Sequence, residues 1–293
     1  MSTQAAETAR ADDLRGGLYM FASGLSFAVL SSGLKELSHD LPFLVVGVLR
    51  NLAALACFAP LLWRRGFGLV RTDRWREHFL RSTYGYISFL MFVYALPILL
   101  LADAIALSFT TPLWSLLLSG LVMAERIPPS RWLATAVGFG GVLLIAKPGS
   151  DVSAATAIAL LSAVVASLAM IKVKQLSRTE PPERIAFYFM FNGLLIGLPL
   201  ALPVWQWPDA RQWLMVAGVG SLSFLSQICM VRGYALGTFS KMAPMDFLRL
   251  PLGIVSGFAL FGELPDLGSV AGMVVVVGAT LFIMLARERK RTG

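Results

Sequence analysis

The sequence is poor in the residues on which metal sites and most enzymes depend. Its 293 residues include two histidines and two cysteines, and only 14% are charged. His39 and His78 both lie at the edges of apolar runs, and no spacing of His, Cys and carboxylate residues resembles a metal site. Cys57 and Cys229 lie within apolar runs, where a thiol acts as a small hydrophobic side chain. We therefore expect no metal ion, no cofactor and no catalytic residue.

Two further absences narrow the class of protein. The first 16 residues are polar and mixed in charge, so they lack the basic start and short apolar core of a secretory signal. No phosphate-binding P-loop is present, which argues against ATP-driven pumping. Intramembrane hydrolysis would need a serine with a His partner, or metal ligands. A membrane enzyme and a channel stay as alternatives to a transporter.

Apolar residues dominate what is there. Hydrophobic residues make up 57% of the chain, the mean hydropathy is +0.72, and apolar windows long enough to span a bilayer recur throughout. Only helices can be distributed through lipid in this way, because each satisfies its own backbone hydrogen bonds. The pattern predicts an all-α membrane protein with ten transmembrane helices, at residues 17–34, 43–63, 80–97, 101–124, 132–147, 153–173, 185–204, 212–234, 239–261 and 267–286.

The basic residues predict the orientation of these helices. If the N-terminus is cytoplasmic, most of the 25 Lys and Arg residues fall in cytoplasmic segments, including the arginines from Arg64 to Arg81. This asymmetry is the positive-inside rule, and it predicts that both termini are cytoplasmic. The net charge of +8 is then a matter of topology, and no nucleic-acid partner is expected. The partners we expect are the lipid bilayer and a small-molecule substrate.

The chain also resembles itself at a spacing of about 139 residues. Each half would hold five helices, and an odd number means that the second half enters the membrane from the opposite side. We therefore divide the chain into a first repeat, 1–147, and a second, inverted repeat, 153–293, around a central cavity. The matching segments are KELSHDLP and KQLSRTEP, YAL and YAL, and SGLVMAERIP and SGFALFGELP.

Each half has a proline-bearing fourth helix that closes on a glutamate, TTPLWSLLLSGLVMAERIP and RLPLGIVSGFALFGELP, followed by a glycine-rich fifth helix. In these features the chain resembles the EamA type of the drug/metabolite transporter superfamily. The resemblance implies a secondary transporter of the bacterial inner membrane that exports amino acids, aromatic ones included, or related metabolites by alternating access. The sequence leaves its oligomeric state open, and a functional monomer is one alternative. Drug, nucleotide-sugar and sugar-phosphate carriers share this fold and stay as alternatives.

Asp246 and Arg249 are the charged pair that the first repeat lacks. They lie three residues apart, so they share one helix face and are close enough to pair. One interpretation is a neutralising salt bridge that allows the helix to insert. The other is a substrate site, in which Arg249 binds a carboxylate and Asp246 binds an amine or a proton.

Four other charged residues are interpreted as structural or gating residues. Arg50 would pair with an acid, line an outer vestibule or snorkel. Asp103, at a predicted outer turn, is expected to cap a helix. Glu125 and Glu263 end the matched fourth helices at opposite faces of the membrane, which suits capping or gating contacts.

Uncharged residues complete the candidate site. Gln227 offers both a donor and an acceptor in the middle of a span, although such residues also hydrogen-bond between helices. An inward Trp114 would suit an aromatic substrate, and ordinary packing is the alternative. Pro112 and Pro251 occupy equivalent places in the two repeats and are predicted to act as paired hinges. The remaining cavity candidates are Tyr84, Ser88, Ser223 and Thr110.

Overall fold

The computed structural model describes residues 3–122, 129–146, 153–176, 179–236 and 249–285, and within these ranges the regular structure is helical. Short 3₁₀ turns at Phe67–Leu69 and Leu202–Val204 join longer helices. The α-helices are α1 (Thr3–Asp40), α2 (Phe43–Arg65), α3 (Trp75–Ala95), α4 (Leu101–Ser108), α5 (Thr111–Val122), α6 (Pro129–Ala146), α7 (Ala154–Leu176), α8 (Pro182–Ala201), α9 (Ala210–Leu236), α10 (Arg249–Phe261) and α11 (Leu267–Leu285).

The predicted turn before Asp103 is confirmed, but the single helix predicted for 101–124 is wrong. The chain leaves α4 at Phe109 and Thr110 and starts α5 at Thr111. The hydroxyl of Thr110 donates to the carbonyl of Leu107, which offers the backbone an alternative to a continuous helix. The break falls in the segment SFTTP, residues 108–112, and a hydropathy window averages over these few polar residues and so does not resolve it.

Several helices extend beyond their apolar runs. The first helix covers Thr3–Asp40 rather than 17–34, and α3 begins at Trp75 rather than residue 80. The added turns hold good helix formers, such as Ala, Glu and Arg, among mostly polar residues. Periodic hydropathy detects only the apolar part of a helix, so it does not detect these polar ends.

Helices from the first and second halves of the chain pack against each other. The predicted spacing of about 139 residues would pair α1 with α7, α2 with α8, α3 with α9, the α4–α5 pair with α10, and α6 with α11. The contact of α1 with α9 then has its counterpart in α7 with α3, and that of α2 with α9 in α8 with α3. Likewise α1 packs on α10, and the corresponding contact is that of α7 with α5. The contacts of α2 with α8 and of α6 with α11 each join two helices that correspond to each other.

Close helix packing depends on small residues at two of these contacts. A Cβ at Gly220 of α9 would lie 2.2 Å from the Cβ of Ala53 in α2. A Cβ at Gly272 of α11 would lie 2.6 Å from the carbonyl oxygen of Gly141 in α6. Glycine therefore allows the backbones to approach, as it does in many membrane helix pairs.

Five of the described helices are long and apolar enough to cross a membrane. Shorter apolar helices cover Trp132–Ile145, Arg249–Phe261 and Leu267–Ala279. The chain is thus a multi-pass helical protein, and the count of ten spans stays a prediction. The five candidate spans are Leu14–Asp40, Phe43–Arg64, Ala154–Val173, Glu183–Val204 and Ala210–Met230.

Candidate functional site

A cavity of about 150 Å³ lies between helices of both halves. Four of its lining residues occupy α3 at spacings of three and four, which places them on one helix face. The remaining walls come from α1, from α4 and α5 on the two sides of their break, and from α7. The lining residues are Phe27, Gly85, Ser88, Phe89, Phe92, Ser108, Thr111, Ser162, Ala163 and Ala166.

The hydroxyl groups of this cavity are all engaged as donors to backbone carbonyls. Ser88 donates to the carbonyl of Ser162 in α7, 2.8 Å away, and Ser162 donates to that of Ala159. Ser108 donates to the carbonyl of Ile105 and Thr111 to that of Ser108. Each hydroxyl oxygen keeps lone pairs that can accept a hydrogen bond from a bound molecule. The cavity therefore offers acceptors between aromatic rings.

Arg249 lies beside this cavity. Its guanidinium carbon is 4.7 Å from the ring centre of Phe27, which lines the cavity. One of its nitrogens donates to the hydroxyl of Ser23 at 3.3 Å. The hydroxyl of Ser23 in turn donates to the backbone carbonyl of Ser226, and the hydroxyl of Ser226 donates to the backbone carbonyl of Ser23. These hydrogen bonds join α1 and α9. Asp246, the predicted partner of Arg249, lies outside the described residues.

The uncharged candidates are spread over several environments. Ser88 lines the cavity, and Thr111 does so where Thr110 was predicted. Gln227 is half-buried on α9, next to the Ser23–Ser226 contact, and Ser223 is buried one turn earlier.

Two aromatic candidates, Tyr84 and Trp114, are not among the residues that line this cavity. Trp114 packs edge-on against Phe139, with ring centres 4.6 Å apart. This contact places it against α6. Tyr84 is half-buried on α3.

At one end of the molecule, Lys35 of α1 and Glu263, which follows α10, link the two halves of the chain. The ammonium of Lys35 pairs with the Glu263 carboxylate and donates to the carbonyl of Leu99 at 2.7 Å. The other oxygen of Glu263 accepts the backbone N–H of Leu101, the first residue of α4, at 2.8 Å. Glu263 thus satisfies a free N–H at a helix start. Asp103, which was expected to cap a helix, lies inside the first turn of α4, and Leu100 holds the N-cap position.

The opposite end, which the positive-inside rule predicts to be cytoplasmic, is held together by contacts of Glu180. Its carboxylate accepts hydrogen bonds from Thr72 at 2.8 Å and Arg184 at 2.6 Å. Arg184 also donates to the carbonyl of Leu69, so the α2–α3 connection is tied to the start of α8. Burial alone would raise the pKa of Glu180, but the hydrogen bonds from Arg184 and Thr72 outweigh it and hold this pKa below its usual range.

His78 of α3 is fully buried beside this group, with its Nε2 3.7 Å from the Glu180 carboxylate. Burial lowers its pKa below the usual 6.5, although Glu180 opposes the shift. His78 is therefore neutral at neutral pH. No sequence pattern predicts the contact between His78 and Glu180, because 102 positions separate them along the chain.

Arg50 is buried in α2, and no acid contacts it within the described ranges. It donates to the side-chain oxygen of Asn51, 3.0 Å away. Its guanidinium carbon is 4.4 Å from the ring centre of Phe89. The acidic partner considered from the sequence is thus absent from this part of the structure, and aromatic rings take its place.

Three further predictions concern gating and hinge residues. Glu125 lies outside the described residues. Pro112 is the second residue of α5, so the helix is interrupted at Phe109 and Thr110, just before the proline. Pro251 is an exposed residue in the first turn described for α10.

The described structure has long apolar helices, extensive helix packing between the two halves of the chain and a cavity between these halves. These features are typical of a multi-pass helical membrane protein. The EamA-like transporter family matches the sequence twice, at residues 14–147 and 154–285. The chain belongs to this family, within the drug/metabolite transporter superfamily, and it is a transporter rather than an enzyme.

Similar proteins carry several kinds of cargo according to their names. A riboflavin transporter of Vibrio cholerae is 30% identical over 94% of this chain and 95% of that protein. The pseudopaline exporter CntI of Pseudomonas aeruginosa is 28% identical over 94% of this chain and 97% of that protein. An S-adenosylmethionine uptake transporter of Rickettsia prowazekii is 26% identical over 80% of each chain.

The fold has a counterpart among solved structures. One crystal structure aligns with 97% of this chain and 99% of its own, with a TM-score of 0.63 and 20% sequence identity. At this level of identity the similarity concerns the fold alone.

Proposed function

We propose that this protein is an alternating-access carrier for an uncharged aromatic metabolite, with riboflavin as the first candidate. The observation that carries the proposal is the chemistry of the cavity. Phenylalanine rings and hydroxyl oxygens line it, and the lining residues within the described ranges include no ionisable side chain. Riboflavin has a planar aromatic ring system and a hydroxylated chain, so it would stack on the rings and donate hydrogen bonds to the hydroxyl oxygens.

The relatives support the same class of cargo. Riboflavin transporters of Vibrio cholerae and Rhizobium johnstonii are each 30% identical to this chain over 94% of its length. Because the named relatives include both an exporter and uptake proteins, we propose no coupling ion, and net export would follow the gradient of the cargo.

Alternating access is supported by the two family matches and by the equivalent helix contacts of the two halves. Inverted five-helix repeats related in this way would rock about a site at their interface. The cavity of about 150 Å³ is smaller than the roughly 300 Å³ at which ligand pockets usually begin, so the carrier would widen it on opening. Both termini would be cytoplasmic, as the distribution of basic residues predicts.

Export of aromatic amino acids is the second candidate, because Arg249 lies over Phe27 at the edge of the cavity. A guanidinium in this position would bind the substrate carboxylate. An aromatic amino acid carries a carboxylate and an ammonium group and riboflavin carries neither, so a single transport panel separates the two candidates.

The test is uptake and efflux of riboflavin, Trp, Tyr and Phe in liposomes that contain the purified protein. Ser108→Ala removes a cavity hydroxyl that, within the described residues, donates its hydrogen bond to a carbonyl of its own helix. We expect it to raise the KM for riboflavin about two- to tenfold, the worth of one ordinary hydrogen bond. Thr83→Ala is the matched control, because Thr83 bonds to its own helix in the same way but does not line the cavity.

Saturable riboflavin transport that weakens in Ser108→Ala and not in Thr83→Ala would support the first candidate. Transport of aromatic amino acids without riboflavin, abolished by Arg249→Gln, would replace it with the second. If none of the four compounds moved in protein shown to be folded, both candidates would be wrong.

A further inference from the structure

A second group of cations lies next to the cavity and takes no part in the site described above. The guanidinium carbon of Arg81 in α3 is 4.3 Å from the ring centre of Phe189 in α8. Arg50 of α2 is 5.7 Å from the same ring centre and 4.4 Å from that of Phe89. Two guanidinium groups from two helices therefore share one aromatic ring.

These two arginines have buried donors that are not used. The Nε of Arg50 and both the Nε and one terminal nitrogen of Arg81 are buried and have no hydrogen-bond partner among the described residues. Arg50 is 4% exposed. Cation–π contacts partly replace water around a guanidinium, but they satisfy no N–H group. Like charges at short range in a medium of low dielectric also repel each other.

Their position relates them to the transport path. Arg81 precedes Gly85 by four residues, so it lies on the face of α3 that lines the cavity, one turn nearer the predicted cytoplasmic end. The ring of Phe189 is in contact range of the same glycine, since a Cβ at Gly85 would lie 3.0 Å from it. Arg81 thus lies between the cavity and the Glu180 contacts, and Arg50 lies beside the cavity-lining Phe89 and approaches Arg81 across the ring of Phe189.

We propose that Arg50 and Arg81 form a binding site for an oxyanion, a phosphate or carboxylate group, at the predicted cytoplasmic end of the cavity. Every unused polar atom on the two arginines is a donor, and an oxyanion supplies acceptors and negative charge together. The side-chain oxygen of Asn51 holds Arg50 in place for this contact. The inference adds a subsite to the proposed function, but anion binding can be measured without any transport.

The experiment uses the purified full-length protein in detergent, with inorganic phosphate as the probe. Binding is followed as a rise in melting temperature at constant ionic strength, with chloride as the reference anion. The variants Arg50→Gln and Arg81→Gln should each weaken phosphate binding about tenfold or more, because each removes charge-assisted hydrogen bonds. Arg76→Gln is the matched control, since Arg76 is an exposed arginine of α3 that lies over Trp75.

The melting temperature without phosphate separates binding from structure. If the arginines are kept for an anion, replacing either one relieves repulsion, so the phosphate-free protein should melt at the same or a higher temperature. The proposal is overturned if phosphate gives no more stabilisation than chloride in the wild type. It is also overturned if all three variants respond to phosphate alike.

The source of the anionic group is determined with riboflavin and riboflavin 5′-phosphate. If the phosphate belongs to the cargo, the phosphorylated compound binds more tightly than riboflavin, inorganic phosphate competes with it, and Arg81→Gln removes the difference. If the anion is separate, phosphate and riboflavin bind together without competition. Both results support the site, whereas loss of riboflavin binding alone, with phosphate binding intact, would contradict only the proposed cargo.

Discussion

The pair of Lys35 and Glu263 is expected to hold one end of the carrier closed, and Glu263→Gln tests this. In their pair the Lys35 side chain is 4% exposed and that of Glu263 is 19% exposed. Removing one partner of a fully buried ion pair costs about 3–5 kcal/mol. Glutamine keeps an acceptor for the N–H of Leu101, and Glu263 is partly hydrated, so the substitution should cost less than this. We take a loss of roughly 2 kcal/mol in the stability of the closed state, which lowers the ratio of closed to open protein about 30-fold.

The measurement is the rate at which an impermeant maleimide labels a buried site at this end. Ala102, 3% exposed in the first turn of α4, is replaced by Ala102→Cys in a background in which Cys57 and Cys229 are changed to alanine. If opening is fast, the labelling rate follows the open fraction, so Glu263→Gln should raise it about 30-fold.

Glu36→Gln is the control for this experiment. Glu36 pairs with Arg211 at 3.1 Å, but the two side chains are 39% and 73% exposed. Such an exposed pair is worth about 0–1 kcal/mol, so labelling should change by less than about fivefold. Labelling of the Glu263→Gln protein at the wild-type rate would refute the argument, and so would an equal effect of Glu36→Gln.

The remaining predictions concern stability. Because the pKa of His78 is lowered below 6.5, the unfolded chain binds a proton at this residue more readily than the folded protein does. The melting temperature should therefore fall as the pH drops below about 6.5. His78→Gln should remove this dependence between pH 6.5 and 5, and an unchanged pH profile in the variant would contradict the argument. The pKa of Glu180 is lowered below 4.5, so the stabilising effect of its carboxylate should be lost only as the pH falls through this lowered pKa. Above pH 4.5, Glu180→Gln should change the melting temperature by an amount that does not depend on pH. Gly220→Ala should destabilise the protein by about 1–3 kcal/mol through overpacking against Ala53, whereas Gly218→Ala, with nothing within 4 Å of the added Cβ, should be neutral or slightly stabilising; equal effects on the melting temperature would contradict the packing argument.

Hydropathy and repeated motifs were enough to predict the helical membrane fold and the family. They identified Ser88 and the region around Phe109 because polar residues within apolar helices are few. They did not identify the break in the fourth helix, because a hydropathy window averages over the few polar residues beside Phe109, namely Ser108, Thr110 and Thr111. Helix ends were also missed wherever, as in α3, polar residues continue the helix beyond the bilayer.

The arginines show why the site was harder to predict than the fold. Arg81 counts among the basic residues of the predicted cytoplasmic side, at the start of the predicted helix 80–97, and hydropathy does not show that it lies on the face of α3 that lines the cavity. Its spacing of four from Gly85 was a usable signal. The partners of Arg50 could not be found, because cation–π contacts to Phe89 and Phe189 join residues far apart in the chain and leave no pattern of charge.

The most direct test of the proposed function is riboflavin counterflow in liposomes that contain the purified protein. An alternating-access carrier returns loaded more readily than empty, so unlabelled riboflavin inside the vesicles should accelerate the entry of labelled riboflavin. Filling the cavity with Ala166→Phe should abolish the effect without unfolding the protein. Entry that is indifferent to internal riboflavin, or counterflow that persists in the Ala166→Phe variant, would contradict transport through this cavity by alternating access.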